Sequence, residues 1–123
     1  MLEKKIEQRI CEYAIKQYGW LVMKFSSPQM RSVPDRIFIR NGHVFFIEFK
    51  SNGKKPTNAQ RFIHRKIESA GISVIVIDDL AIGKTIIDAL SKPATSVPGK
   101  SNRVYKRQEK VHASFRYGSR KND

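Results

Sequence analysis

The sequence predicts an α/β fold in which a central mixed sheet is flanked by helices, with the element order α-β-β-β-α-β-α. Two β-rich runs at 35–40 and 43–50 are separated by Asn41-Gly42. This dipeptide favours a hairpin because a type I′ turn needs positive φ at both central residues. Apolar residues recur at every third or fourth position before and after the hairpin, which is typical of helices. A nearly continuous β-branched run at 72–78 indicates a strand buried on both faces.

The elements before the hairpin are a helix and a short strand. The helix is predicted over residues 2–18, and Gly19 ends it. A strand over residues 20–25 and a loop over 26–33, rich in serine, lead to the hairpin. The stripe that faces inward from the helix consists of Ile6, Ile10, Tyr13, Ala14 and Gln17.

The elements after the hairpin complete the sheet. A second helix is predicted from Thr57 or Asn58, either of which can cap it, to the residue before Gly71. The strand at 72–78 follows this helical crossover, so we expect it to lie parallel to the strand at 44–49. A last helix follows over residues 80–90. The residues expected to face inward are Phe62, Ile63 and Ile67 in the second helix and Ile82, Ile86, Ile87 and Leu90 in the last.

The Gly83-Lys84-Thr85 triplet resembles part of a nucleotide-binding P-loop. That motif needs a glycine five residues before its second glycine, and the sequence has Asp78 there. We therefore expect no nucleotide cofactor.

The composition points to a polyanionic partner. The chain has 123 residues, enough for one domain with a single core, and a formal net charge of +13 with a pI near 10.2. These values favour nucleic acid first and an anionic membrane second. No apolar run approaches the roughly 18 residues of a membrane span, and the charged first turns do not resemble a signal peptide. The single cysteine, Cys11, fits a reducing compartment, so we expect a cytoplasmic protein, in the host cytoplasm if phage-encoded.

The composition changes at residue 91. Residues 1–90 are expected to form the folded domain, and residues 91–123 hold nine basic residues against two acidic ones. We expect this tail to be flexible and to bind phosphates. Its aromatics could stack on bases, or dock on the domain or on a second subunit.

The hairpin places two acids opposite each other. If Asn41 and Gly42 are the loop residues, Asp35 faces Glu48, and side-chain alternation puts Lys50 on the same face. Carboxylates on directly opposed residues, whose Cβ atoms lie about 5 Å apart, repel each other. A divalent cation between them is the simplest reason for this pair, and oxygen ligands suit Mg²⁺ or Mn²⁺. The opposite face carries Phe38, Phe45, Ile47 and Phe49, whose aromatic rings we expect to be exposed and available to a second subunit.

Several motifs surround this pair. In chain order they are Glu3-x-x-Ile6-Glu7, Lys24-Phe25-x-Ser27-Pro28, Val33-Pro34-Asp35-Arg36-Ile37, Phe46-Ile47-Glu48-Phe49-Lys50, Lys55-Pro56-x-x-x-Gln60 and Gly71. Together they resemble the VRR-NUC family (virus-type replication-repair nuclease) of the PD-(D/E)XK superfamily, in its stand-alone phage and bacterial form. The resemblance covers residues 1–90, and Ser32 and Gln29 stand where the family usually has glycine.

The resemblance implies a restriction-endonuclease-like core and an Mg²⁺- or Mn²⁺-dependent endodeoxyribonuclease that hydrolyses phosphodiester bonds in branched DNA. A helical acid, Glu3 or Glu7, completes the metal site in this family. The two lie one turn apart, so both remain candidates, although each could also be a solvated acid beside the helix dipole. The other implied residues are the metal ligands Asp35 and Glu48, the Phe49 carbonyl as a further ligand, the catalytic Lys50, and Gln60 as a polar support for a water or Lys50.

A small resolvase-like domain would most simply act on a Holliday junction as a homodimer, with one active site per strand. The alternatives are a flap or splayed-arm nuclease, a non-catalytic nucleic-acid-binding protein and a protein-interaction module. The opposed acids argue against the last two, because a protein that only binds phosphate gains nothing from acids facing it. The basic residues expected at DNA are Lys24, Arg31, Arg36, Lys54, Lys55, Arg103, Lys106 and Arg107.

Overall fold

The computed structural model describes residues 1–93 and confirms the predicted α/β architecture and element order. One four-stranded sheet has the order β1-β2-β3-β4, with the first two pairs antiparallel and the last pair parallel, as predicted. The tail beyond residue 93, with Arg103, Lys106 and Arg107, lies outside the described residues. The elements are α1 (Glu3–Tyr18), β1 (Leu21–Lys24), β2 (Arg36–Arg40), β3 (His43–Phe49), α2 (Asn58–Ser69), β4 (Ser73–Ile77) and α3 (Leu80–Ser91).

The hairpin has the predicted turn and register. Asn41 and Gly42 adopt φ values of 49° and 80°, the left-handed conformation that a type I′ turn needs at both positions. Arg40 pairs with His43, and the ladder continues to Arg36 opposite Ile47. One step further along this register lies Asp35 beside Glu48.

The core lies on the sheet face opposite these two acids. There the helices α1 and α3 pack against each other and against the strands. Phe38 and Phe49 are fully buried and Phe45 is 2% exposed, so the expectation of exposed aromatics on this face is wrong. Phe38 stacks on Phe45 with ring centroids 5.1 Å apart, and Trp20 meets both rings edge-on. The helices α1 and α3 cover this surface.

The other sheet face is only partly covered. Gln60 on α2 reaches Glu48, which places α2 on this face over the β3–β4 half. In the β1–β2 half, Leu21 and Met23 are 53% and 43% exposed. They pair with Ile39 and Ile37 of β2, whose side chains point to the same face. Within residues 1–93, a stretch of apolar sheet surface is therefore left open beside the acids.

Four burial predictions, one for a strand and three for single helix residues, are wrong. The strand β4 is an edge strand, so Val76 is 37% exposed and the run is not buried on both faces. Phe62 on α2 and Ile82 on α3 are 53% and 59% exposed, and Gln17 is exposed near the end of α1.

Gly83, from the triplet that resembled a P-loop, has a packing role. It is buried in α3, and a Cβ built there would lie 2.6 Å from Ile10 Cδ1 and 2.8 Å from Ile77 Cγ2. The glycine therefore lets α3 approach α1 and β4 closely. Ser91 is buried at the end of the same helix, where its hydroxyl accepts from Trp20 Nε1 at 2.7 Å and its carbonyl accepts from Arg40 Nη1 at 2.9 Å. Residues Met1–Ser91 form one compact unit.

Among the described residues, no helix combines the length and the apolar character needed to cross a membrane.

Candidate active site

Three acids from three different elements meet at one end of the hairpin. Glu3 is the first residue of α1, Asp35 immediately precedes β2, and Glu48 lies near the end of β3. One carboxylate oxygen from each lies within 4.8 Å of the other two. Ile6, one turn after Glu3, is fully buried against the core, and this packing anchors the start of α1 near the hairpin.

Asp35 is held by the backbone of the neighbouring strands. Its Oδ2 accepts a hydrogen bond of 2.8 Å from the Phe49 amide, and its carbonyl accepts from the Phe25 amide at 3.0 Å. Burial raises the pKa of the Asp35 carboxyl, and the bond from Phe49 opposes this shift. Phe49 thus orients one acid of the cluster through its amide, while metal ligation by its carbonyl stays a prediction.

Glu48 is the most buried of the three acids, with 2% of its surface exposed. Gln60 Nε2 donates to its Oε2 at 3.0 Å, and Lys50 Nζ lies 3.7 Å from the same oxygen. Burial first, and the nearby charge of Asp35 second, raise the pKa of Glu48 to about 7. An anionic carboxylate is therefore costly here unless positive charge is added.

The start of α2 orients the Gln60 amide. Gln60 Oε1 accepts from the Thr57 amide at 2.9 Å, and the Thr57 hydroxyl accepts from the Gln60 amide at 3.1 Å, which is a capping box. With its oxygen committed to the cap, the side chain presents its NH₂ group to Glu48. The sequence predicted a polar support near the active site that holds a water or Lys50, and in the structure Gln60 lies at the acids and donates to Glu48.

Glu7 lies one turn after Glu3 and is engaged elsewhere. Its Oε2 accepts from Arg36 Nε at 2.7 Å, and both side chains are about four-fifths buried. The structure thus brings Glu3, rather than Glu7, together with Asp35 and Glu48. It also gives Arg36, predicted to contact DNA, a carboxylate partner within the chain.

Four other predicted DNA contacts are exposed. Lys24 ends β1, Arg31 lies in the loop before β2, and Lys54 and Lys55 lie in the loop that follows Lys50. That last loop is tied to the end of β4, because Asn52 Nδ2 and the Gly53 amide both donate to Asp78.

Ser32 occupies a position where the resembling family usually has glycine. Its φ of 67° lies in the left-handed region, which costs a residue with a Cβ about 1 kcal/mol or more. The loop before Asp35 therefore keeps a backbone conformation that suits glycine, although the residue is serine.

The sequence reasoning missed His64. It is 6% exposed on α2, and its Nε2 lies 3.9 Å from Glu48 Oε1. The available signal was its spacing of four from Gln60, which puts both side chains on one face of a helix.

The donor set fits a hard divalent cation. Three carboxylates within 4.8 Å supply the oxygen ligands that Mg²⁺ and Mn²⁺ prefer. Two of them, Asp35 and Glu48, have raised pKa values, chiefly because burial disfavours their anionic forms, and nearby acids add repulsion in both cases. A dication bound between them would relieve both effects.

The raised pKa of Glu48 predicts a pH-dependent stability for the metal-free protein. Folding raises this pKa from the ordinary 4.5 to about 7, so the folded protein binds the proton more tightly than the unfolded chain does. The stabilisation is fully present below pH 4.5 and is lost as the pH rises to about 7. We expect Glu48→Gln to remove this loss, so that wild type becomes less stable relative to the variant across this range.

Urea unfolding in EDTA, at steps between pH 4.5 and 8, measures this difference. The lowered pKa of His64 acts in the opposite direction, because it removes stability as the pH falls, and comparison with the variant separates the two. Glu12→Gln, which changes an exposed acid on α1, should follow wild type. If the free energy of unfolding changed with pH in the same way for wild type and Glu48→Gln, the prediction would be contradicted.

Comparisons with known proteins agree with this fold. "Putative nuclease p44" of Acyrthosiphon pisum secondary endosymbiont phage 1 is 38% identical over 77 residues, which are 62% of this chain and 82% of that protein. A solved structure described as a VRR_NUC domain superposes with a TM-score of 0.58 at 26% identity, over 68% of this chain and 95% of that chain. The chain matches no family model. From the similarity to this relative and this structure, the chain belongs to the VRR-NUC family.

Proposed function

We propose that this protein is an Mg²⁺- or Mn²⁺-dependent endodeoxyribonuclease that hydrolyses phosphodiester bonds in branched DNA. The observation that carries the proposal is the convergence of Glu3, Asp35 and Glu48 within 4.8 Å, beside Lys50. Membership of a nuclease family and a net charge of +13 support a nucleic-acid substrate.

Each residue of the site has a role that its contacts support. Glu3, Asp35 and Glu48 would hold the cation, which when bound polarises the scissile phosphate and lowers the pKa of a coordinated water. Lys50, 3.7 Å from Glu48, is placed to donate a hydrogen bond to that water and to offset negative charge on the phosphate. Gln60 keeps the Glu48 carboxylate in place.

We further propose that two copies act together on a four-way junction. The described residues of one copy hold one cluster of acids, and a junction must be cut on two strands, so a two-fold symmetric dimer supplies one site for each. The open apolar surface formed by Leu21, Met23, Ile37 and Ile39 supports a second copy as its occupant, because exposed apolar patches mark association sites.

Cleavage of a labelled DNA panel tests this function. The panel contains single strand, duplex, 5′ flap, splayed arm and four-way junction, each with Mg²⁺, Mn²⁺ or EDTA, while light scattering records the oligomeric state. We expect paired symmetric nicks in the junction, made by a dimer and absent in EDTA. Cutting confined to flaps or splayed arms by a monomer would keep the nuclease and overturn the junction-cleaving dimer. Cleavage that persists in EDTA would overturn the metal site.

The second candidate is a protein that binds nucleic acid without cutting it. The exposed basic residues Lys24, Arg31, Lys54 and Lys55 favour binding on their own. Binding to every DNA in the panel without cleavage under any metal condition would support this candidate.

A further inference from the structure

The side chain of His64 is buried and faces a catalytic acid. It lies on α2 with 6% of its surface exposed, and its Nε2 has no hydrogen-bond partner. The atom it faces at 3.9 Å, Glu48 Oε1, is also buried without a partner. These are the two buried side-chain polar atoms that lack a partner among the described residues.

The two atoms are chemically complementary. Leaving a buried donor or acceptor unsatisfied costs about 1–3 kcal/mol, so two such atoms facing each other favour closing the gap. A shift of about 1 Å would bring them to hydrogen-bond distance. An imidazole carries a proton on at least one of its two nitrogens, whether it is neutral or charged, so His64 can act as the donor.

His64 lies on the same face of α2 as Gln60. The two are four residues apart, so they project from one face of the helix. Gln60 Nε2 holds Glu48 Oε2 at 3.0 Å, and His64 faces the other oxygen, Oε1. One helix face therefore presents one nitrogen to each oxygen of a single carboxylate.

We propose that His64 is a positioning residue that donates a hydrogen bond from Nε2 to Glu48 Oε1 when the site holds a divalent cation. Together with Gln60 it fixes both oxygens of Glu48 and so orients the carboxylate toward the cation. This inference rests on the proposed nuclease function, since it concerns the same acid. Residues that orient metal ligands in this way typically change metal affinity or activity by 10- to 100-fold.

A titration of the full chain with Mn²⁺ tests the positioning role of His64 without measuring cleavage. Bound Mn²⁺ is measured as the decrease of the EPR signal of the free ion. We expect His64→Leu to weaken Mn²⁺ binding on the order of 10- to 100-fold. His64→Gln, which can place an amide NH₂ near the Nε2 position, should restore most of that affinity. The matched control is His43→Leu, which removes an exposed histidine at the hairpin turn and should bind as wild type does.

A second measurement uses wild-type protein alone, so it does not depend on whether a variant folds. Long-range ¹H–¹⁵N spectra of wild type with saturating Mg²⁺ report which imidazole nitrogen of His64 is protonated, and we expect Nε2. An unprotonated Nε2, or equal Mn²⁺ affinity for His64→Leu and wild type, would overturn the positioning role and leave the nuclease proposal standing. A wild-type protein that binds no Mn²⁺ would overturn both.

Discussion

Glu48→Gln is expected to reduce cleavage by roughly a thousandfold or more while DNA binding is retained or strengthened. The variant removes the negative charge of the most buried acid in the cluster. Its side-chain oxygen can still accept the hydrogen bond from Gln60, so the local packing is kept. Losing one anion beside the bound phosphates lowers the electrostatic repulsion of DNA, which is why affinity should not fall.

Single-turnover cleavage and fluorescence anisotropy on the same junction separate these two effects. Asp35→Asn should behave in the same way, because it removes a second acid of the cluster. Glu12→Gln provides the matched control, since it makes the same chemical change on an exposed part of α1. Wild-type cleavage by both Glu48→Gln and Asp35→Asn would show that these acids do not form the active site.

Phe38→Ala is expected to lower the free energy of unfolding by about 3–5 kcal/mol. The ring is fully buried at the centre of the sheet, stacked on Phe45 and met edge-on by Trp20. A domain of this size is typically stable by only about 5–15 kcal/mol, so this loss removes a large share of the free energy of unfolding. Urea unfolding followed by far-UV circular dichroism measures the change.

Phe62→Ala is the matched control for this deletion. The same type of side chain is removed from α2, where it is 53% exposed and its ring centroid lies 4.9 Å from Lys66 Nζ. We expect a change within about 0.5 kcal/mol, as for most surface substitutions. Equal losses for the two variants would contradict the assignment of the core to the Phe38 face.

Local patterns predicted most of the fold. The Asn41-Gly42 turn set the hairpin register from Arg40 to Arg36, because a two-residue loop leaves a single alignment of the strands. Which face would be covered could not be predicted in the same way. Both faces of the hairpin carry large apolar side chains. Which of the two is buried depends on where α1 and α3 dock. That is why the aromatic rings around Phe38 were expected to be exposed and are buried.

In the site, too, the residues on the hairpin could be predicted from the sequence, and those placed by helix docking could not. Asp35, Glu48 and Lys50 lie on one hairpin, and the register alone predicted that they would be close. The choice between Glu3 and Glu7 depends on the docking of a helix, and in the structure Arg36 of β2 engages Glu7. The spacing of four from Gln60 put His64 on the same helix face, but its contact with Glu48 depends on how α2 docks after the crossover from β3.

The position of Glu3 gives the three acids unequal mobility. It begins α1, where Leu2 occupies the cap position without a side-chain hydrogen bond to the backbone. The amides of Lys5 and Ile6 both bond the Leu2 carbonyl at 3.1 Å. Helix ends fray at far lower free energy than paired strands separate. We therefore expect the third carboxylate to leave and rejoin the cluster with its own opening rate, while the sheet that carries the other two stays intact.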